Sequence, residues 1–218
     1  MLEPTLLLLD EPLGALDLKL REHMKVELKQ LQSAFGTTFV YITHDQSEAL
    51  VLSDRVGVMN HGRFEQLGSP QELYYSPATS FVAGFVGANN RLTGTVVGHE
   101  GALVDLNAGG GLRLRVRGNG TLAHGAAVDA FIRPEAMTLA RSPAELPAGQ
   151  SALNGEVTDM LFDGANSVVL VREAHSRREL RIALPQTGAF ADLRPGAQVC
   201  FGFDPERAIG FPASAQHP

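Results

Sequence analysis

Two short apolar segments with an amphipathic stretch between them constrain the fold of this 218-residue chain more than any other feature. Thr5 to Leu9 and Thr37 to Thr43 are apolar, β-branched and aromatic, which is typical of strands buried on both faces. Residues 18–34 are predicted to be helical, with apolar side chains at spacings of four and three and Gly36 as a stop. The apolar positions are Leu20, Met24, Leu28 and Leu31. Strand, helix and strand in this order predict a parallel pair with a right-handed crossover.

The character of the chain changes near residue 88. The first 87 residues hold 7 of the 23 glycines and have the pattern of alternating helices and strands. The rest of the chain holds the other 16 and has the pattern of short strands broken by turns. We therefore expect two domains, residues 1–87 and residues 88–218.

The second part contains an internal repeat. The segments Gly125 to Glu135 and Gly196 to Glu206 share five of eleven residues at an offset of 71. Upstream, Gly94-Thr95-Val96 corresponds to Gly155-Glu156-Val157 at an offset of 61. Each repeat is predicted to form a small antiparallel, barrel-like set of strands, an architecture that commonly binds ligands or packs against a second copy.

Two carboxylates, Asp10 and Glu11, follow the first apolar strand directly. Ligand sites in parallel sheets lie at the carboxyl ends of the strands. An aspartate there can hold Mg²⁺, directly or through water, beside nucleotide phosphates, and a neighbouring glutamate can polarise a water molecule for attack on phosphorus. Taken alone, the pair is equally compatible with a solvated acidic turn.

His44 directly follows the second apolar strand, in the sequence Thr43-His44-Asp45. Because adjacent parallel strands end at the same edge of a sheet, His44 is predicted to lie beside Asp10 and Glu11. A histidine there can donate a hydrogen bond to a terminal phosphate oxygen. A single histidine after a strand is more often structural, but its combination with the two carboxylates favours a site.

These residues resemble the motifs of the ATP-binding-cassette (ABC) ATPases. The resemblance implies that Asp10 is the Mg²⁺-associated aspartate of the Walker B strand and Glu11 the catalytic glutamate. Residues 14–17, ending at Asp17, match the D-loop that reaches across a dimer of nucleotide-binding domains, and His44 matches the switch histidine that senses the γ-phosphate. The implied fold is α/β, a partial P-loop NTPase of the ABC type, followed by all-β OB-like barrels.

The resemblance extends to the importer branch with a C-terminal regulatory (TOBE) domain. It rests on these segments: Asp45 to Ala49, Ser53-Asp54-Arg55, His61 to Pro70, Phe81 to Gly87, Ile132 to Glu135 and Phe162-Asp163-Gly164. The linker Phe85 to Asn90, running into Leu92-Thr93-Gly94, is most similar to the polyamine and iron(III) subgroup. The expected cofactors of the complete protein are ATP and Mg²⁺. Its expected partners are transmembrane permease subunits, a second ATPase subunit and, indirectly, a periplasmic binding protein.

The phosphate-cradling loop Gly-x-x-x-x-Gly-Lys-Ser/Thr of this family has no counterpart in the chain, which contains no Gly-Lys pair. The Leu-Ser-Gly-Gly-Gln signature is likewise missing. In the family both precede the Walker B strand, so we expect the chain to be the C-terminal portion of such an ATPase, inactive alone. We also expect residues 1–87 to be poorly stable by themselves, because their apolar strands lack neighbours.

The sequence also allows two other functions. The chain could be a non-enzymatic module that pairs with a full-length ATPase through residues 88–218. Alternatively, the barrels could bind nucleic acid, but 18 Lys and Arg against 24 Asp and Glu give a net charge of −6, and that role favours basic, aromatic surfaces. No apolar run approaches the roughly 18 residues that span a membrane, and residues 1–4 do not resemble a signal peptide. The expected location is peripheral, at the cytoplasmic face of the inner membrane.

Overall fold

The computed structural model describes residues 4–162, 166–184 and 187–213. The chain divides into two compact units, residues 1–78 and residues 79–218. The motif residues Asp163 and Gly164 lie outside the described ranges. Most of the regular structure is β, with fourteen strands and four α-helices in the part of the chain that is described.

The first unit begins with the predicted strand–helix–strand element. Strands β1 (Leu6–Asp10) and β2 (Thr38–Ile42) pair in parallel, with Leu6 opposite Thr38 and Asp10 opposite Ile42. Helix α1 (Leu18–Phe35) connects them. Its carboxyl end is closed by Gly36, whose φ of 62° is the left-handed conformation that glycine adopts at low cost. The parallel pair and its helical crossover are therefore confirmed.

Short elements complete the first unit. Helix α2 (Gln46–Leu52) follows β2 after residues 43–45, and β3 (Val56–Asn60) and β4 (Arg63–Gly68) form an antiparallel hairpin. Helix α3 (Pro70–Tyr75) starts with a capping box, in which the Ser69 hydroxyl accepts from the Glu72 N–H and the Glu72 carboxylate accepts from the Ser69 N–H. Among the helices that are described, none is long and apolar enough to cross a bilayer.

Strands β1 and β2 are much more exposed than their sequences predict. Leu6, Leu8, Val40 and Ile42 expose 49%, 68%, 42% and 64% of their surface. The expectation that both strands are buried on both faces is therefore wrong for this chain. The physical reason is that β1 and β2 form a sheet of only two strands, so no further strand of the described chain covers their edges and faces.

The second unit begins at residue 79, nine residues before the expected boundary at residue 88. The reason is that the helix in this segment packs against the strands of the second unit. Helix α4 (Ser80–Phe85) packs Ala83 against Phe131 and Phe211. The buried Arg133 guanidinium donates to the carbonyl oxygens of Val86 and Ala88. These contacts attach the linker to the second unit.

Ten strands form the rest of the second unit. In chain order they are β5 (Asn90–Glu100), β6 (Leu103–Asn107), β7 (Arg113–Gly118), β8 (Ala127–Ile132), β9 (Met137–Ala140), β10 (Ser151–Leu161), β11 (Val168–Glu173), β12 (Glu179–Ala183), β13 (Gln198–Phe203) and β14 (Ala208–Pro212). Five of them close a barrel in the order β14-β7-β6-β5-β8. The other five form an open sheet in the order β12-β11-β10-β13-β9.

The internal repeat is confirmed by the positions of the strands. Strands β8 and β13 are related by the offset of 71, and β5 and β10 by the offset of 61. The repeats do not form separate antiparallel barrels, however. The last strand of the first repeat, β9, pairs with β13, and the last strand of the second repeat, β14, pairs with β8 and, in parallel, with β7.

This exchange of terminal strands merges the two repeats into one hydrophobic core. Val96 and Leu106 of the barrel belong to the same buried cluster as Val171, Phe201 and Phe203 of the sheet. An independent barrel for each repeat would need two separate cores, and the short repeats gain more buried apolar area by sharing one.

A buried carboxylate closes the turn between β11 and β12. Burial alone would raise the pKa of the fully buried Glu173, but hydrogen bonds from the N–H groups and side chains of His175 and Ser176 hold its pKa below the usual value. A carboxyl with a lowered folded-state pKa stabilises the fold above its unfolded pKa, and this contribution is lost as the pH falls through the folded pKa.

Replacing Glu173 with glutamine should therefore lower the free energy of unfolding at pH 7 by about 1–3 kcal/mol and weaken the acid dependence of stability. Denaturant unfolding from pH 7 to pH 3 measures both effects. Glu156→Gln, an exposed position on β10, is the matched control. Equal acid dependence in the native chain and the Glu173→Gln variant would contradict this role.

Candidate functional site

The parallel pairing brings Glu11 and His44 together. Glu11 directly follows β1, and His44 lies two residues after the end of β2. The Nδ1 atom of His44 lies 3.1 Å from the Oε1 atom of Glu11. Both side chains are exposed, Glu11 by 53% and His44 by 76%. The predicted proximity of His44 and Glu11 is confirmed, and the pair is accessible to a ligand in this chain.

The backbone of Glu11 is held in an unusual conformation. Its φ of 44° lies in the left-handed region, which only three non-glycine residues of the described chain adopt. The Glu11 N–H donates to the carbonyl oxygen of Ile42 at 2.8 Å, and the Glu11 carbonyl accepts from the Gly14 N–H at 3.1 Å. Strained backbone of this kind clusters at functional sites, where it fixes the direction of a side chain.

Asp10 occupies the last position of β1, opposite Ile42, with an exposed side chain. No group of three or more His, Cys, Asp or Glu side chains with metal-ligand geometry occurs in the described ranges. Mg²⁺ does not require such a group, because it is commonly held by one or two carboxylates together with substrate phosphates and water. An exposed carboxylate at a strand end, such as that of Asp10, has the chemistry of one such ligand.

Asp17 has a local structural role in this chain. Its Oδ1 atom accepts from the Leu20 N–H at 2.9 Å and so caps the amino end of α1. The pairing of Glu11 with His44 does not include it. The structure thus pairs Glu11 with His44, places Asp10 at the end of β1 and holds Asp17 at the amino end of α1.

A polar network that includes the residues on both sides of His44 was not predicted from the sequence. The guanidinium of Arg21 on α1 donates to the carbonyl oxygen of Leu16 at 3.0 Å and to Asp45 Oδ2 at 3.5 Å. Glu48 on α2 is 3% exposed and accepts from the Thr43 hydroxyl at 2.7 Å. The network therefore connects the residues on both sides of His44 with the loop that leads to Asp17.

The carboxylate of Asp45 stabilises the start of α2. It accepts from the N–H groups of Ser47 and Glu48 at 2.8 and 3.3 Å. The side chain of Ser47, these N–H groups and the charge of Lys25 hold the pKa of Asp45 below its usual value. Asp45 is thus a charged cap that fixes the backbone directly after His44.

A signal for this network exists in the sequence, namely basic residues at every fourth position of α1. Arg21, Lys25 and Lys29 lie on one helical face, and each contacts a residue of α2 or one that flanks it. The Nζ atom of the buried Lys25 lies 2.8 Å from the Ser47 hydroxyl. Leu20 and Leu31, which were predicted to form an apolar face, are each 42% exposed. The face of α1 toward α2 is therefore basic.

Comparison with known proteins finds one matching domain family and several similar proteins. The TOBE domain family matches residues 130–211. The spermidine/putrescine import ATP-binding protein PotA of Rubrobacter xylanophilus is 43% identical over 208 residues, which are 94% of this chain and 53% of that protein. PotA of Acidothermus cellulolyticus is 42% identical over 205 residues, covering 93% of this chain and 52% of that protein.

Two further proteins match parts of the chain. The ABC transporter ATP-binding protein YdcT of Escherichia coli is 64% identical over 92 residues, which are 42% of this chain and 27% of that protein. Among solved structures, the cytoplasmic molybdate-binding protein ModG covers 57% of this chain and 96% of its own, with a TM-score of 0.49 and 23% identity. The chain spans about half the length of the PotA proteins that it matches.

Proposed function

Because the chain belongs to the family of ABC importer ATP-binding subunits and corresponds to their C-terminal portion, we propose that it supplies part of the ATP-hydrolysing site of such a subunit. The observation that carries this proposal is the pairing of Glu11 with His44, 3.1 Å apart, at the ends of two parallel strands. The complete subunit would couple ATP hydrolysis to the uptake of a solute.

The roles of the site residues follow from their chemistry. The Glu11 carboxylate would polarise the water molecule that attacks the γ-phosphate, and His44 would donate a hydrogen bond to a γ-phosphate oxygen. Asp10 would hold Mg²⁺, which neutralises phosphate charge when it is bound. In this chain the Nδ1 atom of His44 faces a carboxylate oxygen of Glu11, so a hydrogen bond from its Nε2 atom to the phosphate requires the imidazolium form, in which both ring nitrogens donate.

The phosphate-binding part of the site would come from residues outside this sequence. The chain contains no Gly-Lys pair, and its relatives are about twice as long. The exposed leucines of β1 and the exposed Val40 and Ile42 of β2 support this view, because strands of such composition are normally covered in parallel sheets. The missing half of the subunit would cover them.

Partners and substrate are proposed from the relatives. Two ATP-binding subunits would enclose ATP between them, with Asp17 near the boundary, and transmembrane permease subunits would receive the mechanical work. A polyamine is the proposed cargo, because the PotA relatives are named for spermidine and putrescine import. Iron(III) remains the alternative cargo from the sequence resemblance.

An uptake assay tests this proposal. We would join the chain to the amino-terminal half that its relatives carry, reconstitute the complete subunit with its permease and binding protein in vesicles, and supply ATP with labelled spermidine. We expect ATP-dependent accumulation of spermidine, and none with the Glu11→Gln variant. Accumulation of iron(III) instead would replace the cargo, and a subunit that assembles without hydrolysing ATP would favour the non-enzymatic pairing module.

A further inference from the structure

One side chain connects the two loops that carry the candidate catalytic residues. The loop after β1 runs from Glu11 to Asp17, and the loop after β2 runs from Thr43 to Asp45. The Nη2 atom of Arg21 lies 3.0 Å from the carbonyl oxygen of Leu16 in the first loop. Its Nη1 atom lies 3.5 Å from Oδ2 of Asp45 in the second. Arg21 is thus shared by both loops.

The buried Glu48 extends this connection to the residue before His44. Its Oε2 atom accepts from the Thr43 hydroxyl at 2.7 Å, and the same hydroxyl oxygen accepts from the Asp45 N–H at 3.0 Å. Its Oε1 atom lies 3.9 Å from the Nε atom of Arg21, so the arginine supplies the positive charge that a buried carboxylate needs. His44 is therefore bracketed by two residues, Thr43 and Asp45, that both depend on the Arg21–Glu48 pair.

We propose that Arg21 is a positioning residue that holds the His44 loop in register with the Glu11 loop. This inference rests on the proposed function, because the distance that it controls is the one between the proposed catalytic glutamate and the proposed phosphate-sensing histidine. Both of these side chains are more than half exposed, so their own contact constrains them weakly. The half-buried guanidinium contacts both loops and, together with the Glu11 N–H bond to the Ile42 carbonyl oxygen, holds them in position relative to each other.

The geometry of the guanidinium makes this role specific to arginine. Its planar fork presents donors in several fixed directions, so it reaches the Leu16 carbonyl and Asp45 at once while its Nε faces Glu48. A lysine ammonium at the same position is a point charge on a flexible stem and would keep the charge without connecting both loops. Arg21→Lys therefore separates the positioning role from simple charge neutralisation.

Lys29 provides a matched control on the same helix. Two turns further along α1, its Nζ atom reaches the Leu52 carbonyl at 3.1 Å and Asp54 Oδ1 at 2.8 Å. It therefore also ties α1 to the region of α2, but at the end away from His44. Lys29→Met should weaken the unit without disturbing the two loops.

The test uses the complete ATP-binding subunit with Arg21→Lys, Arg21→Gln, Glu48→Gln or Lys29→Met. Hydrogen exchange followed by mass spectrometry reports on residues 40–50, and steady-state kinetics reports on ATP hydrolysis. For both Arg21 variants we expect at least about tenfold faster exchange around Asp45 and a kcat lowered by about 10–100-fold, with the KM for ATP changed less than about twofold. Glu48→Gln should act in the same direction, and Lys29→Met should leave both measurements near native values.

Native exchange and native kcat in Arg21→Lys would overturn the proposal, as would equal damage from Lys29→Met, which would indicate general destabilisation. Failure of the proposed function is a different result. If the subunit with native Arg21 hydrolyses no ATP, the proposed activity is wrong. The exchange comparison would still support or overturn the positioning of the His44 loop.

Discussion

In the complete ATP-binding subunit, Glu11→Gln should lower the kcat of ATP hydrolysis by about 10²–10⁴-fold, the range for loss of a general base. ATP binding should be kept, because glutamine has nearly the same shape and the phosphates are held by other groups. Steady-state hydrolysis with Mg²⁺, measured beside equilibrium binding of labelled ATP, separates the two effects. The reason lies in the geometry: Glu11 is the carboxylate that meets His44 at the strand ends, and its strained turn fixes its direction.

Glu27→Gln is the control for this prediction. Glu27 is a partly exposed glutamate on α1, where its Oε1 atom lies 3.8 Å from the Nε2 atom of His23, well along the helix from the site. Its replacement makes the same chemical change and should leave kcat unaltered. A Glu11→Gln enzyme with native kcat would show that the attacking water is activated elsewhere and would remove Glu11 from the site.

Deleting strand β14, which belongs to the second repeat, should unfold the barrel formed with the strands of the first repeat, β5 to β8. A chain that ends at Arg207 loses β14, whose residues pair with β8 and β7 and bury Ala208 and Phe211. Loss of one buried phenylalanine alone costs about 3–5 kcal/mol, and the ladder hydrogen bonds are lost in addition. Denaturant unfolding should show this loss, and hydrogen exchange should show that β5 to β8 lose protection.

A chain that ends at Ala213 is the control, because it keeps β14 and removes only residues 214–218. It should unfold like the full chain. The strands that lose hydrogen-exchange protection distinguish repeats that exchange their last strands from repeats that form separate barrels. If the repeats were separate barrels, the Arg207 truncation would affect β10 to β13 and leave β5 to β8 protected, which would contradict the exchange of strands.

The sequence predicted the proximity of Glu11 and His44 better than it predicted the packing around them. Apolar runs, a helical period and glycine stops were sufficient for β1, α1 and β2, since these signals are local. The proximity of Glu11 and His44 then followed from the rule that parallel strands end at one edge. The repeat offsets of 61 and 71 likewise gave the correspondence of β5 with β10 and β8 with β13.

Features that depend on tertiary partners were not predictable in this way. The pairing of β9 with β13 and of β14 with β8 leaves no local signal, because an exchanged strand has the same alternation as one paired within its own repeat. Arg21 and Glu48 have the composition of a solvated helix surface, and only the packing of α1 on α2 makes them a half-buried arginine beside a buried glutamate. The exposure of β1 and β2 depends on which other segments cover them, and the spacing of apolar residues gives no information about that.

Mg²⁺-dependent ATP binding and hydrolysis should be measured for this purified chain alone, for the complete subunit and for the Glu11→Gln variant of each. The expected result is no binding and no turnover by the chain alone, because it has no Gly-Lys loop to hold the phosphates, and Glu11-dependent turnover by the complete subunit. Turnover by the chain alone that disappears with Glu11→Gln would contradict it, because a phosphate site would then form without that loop.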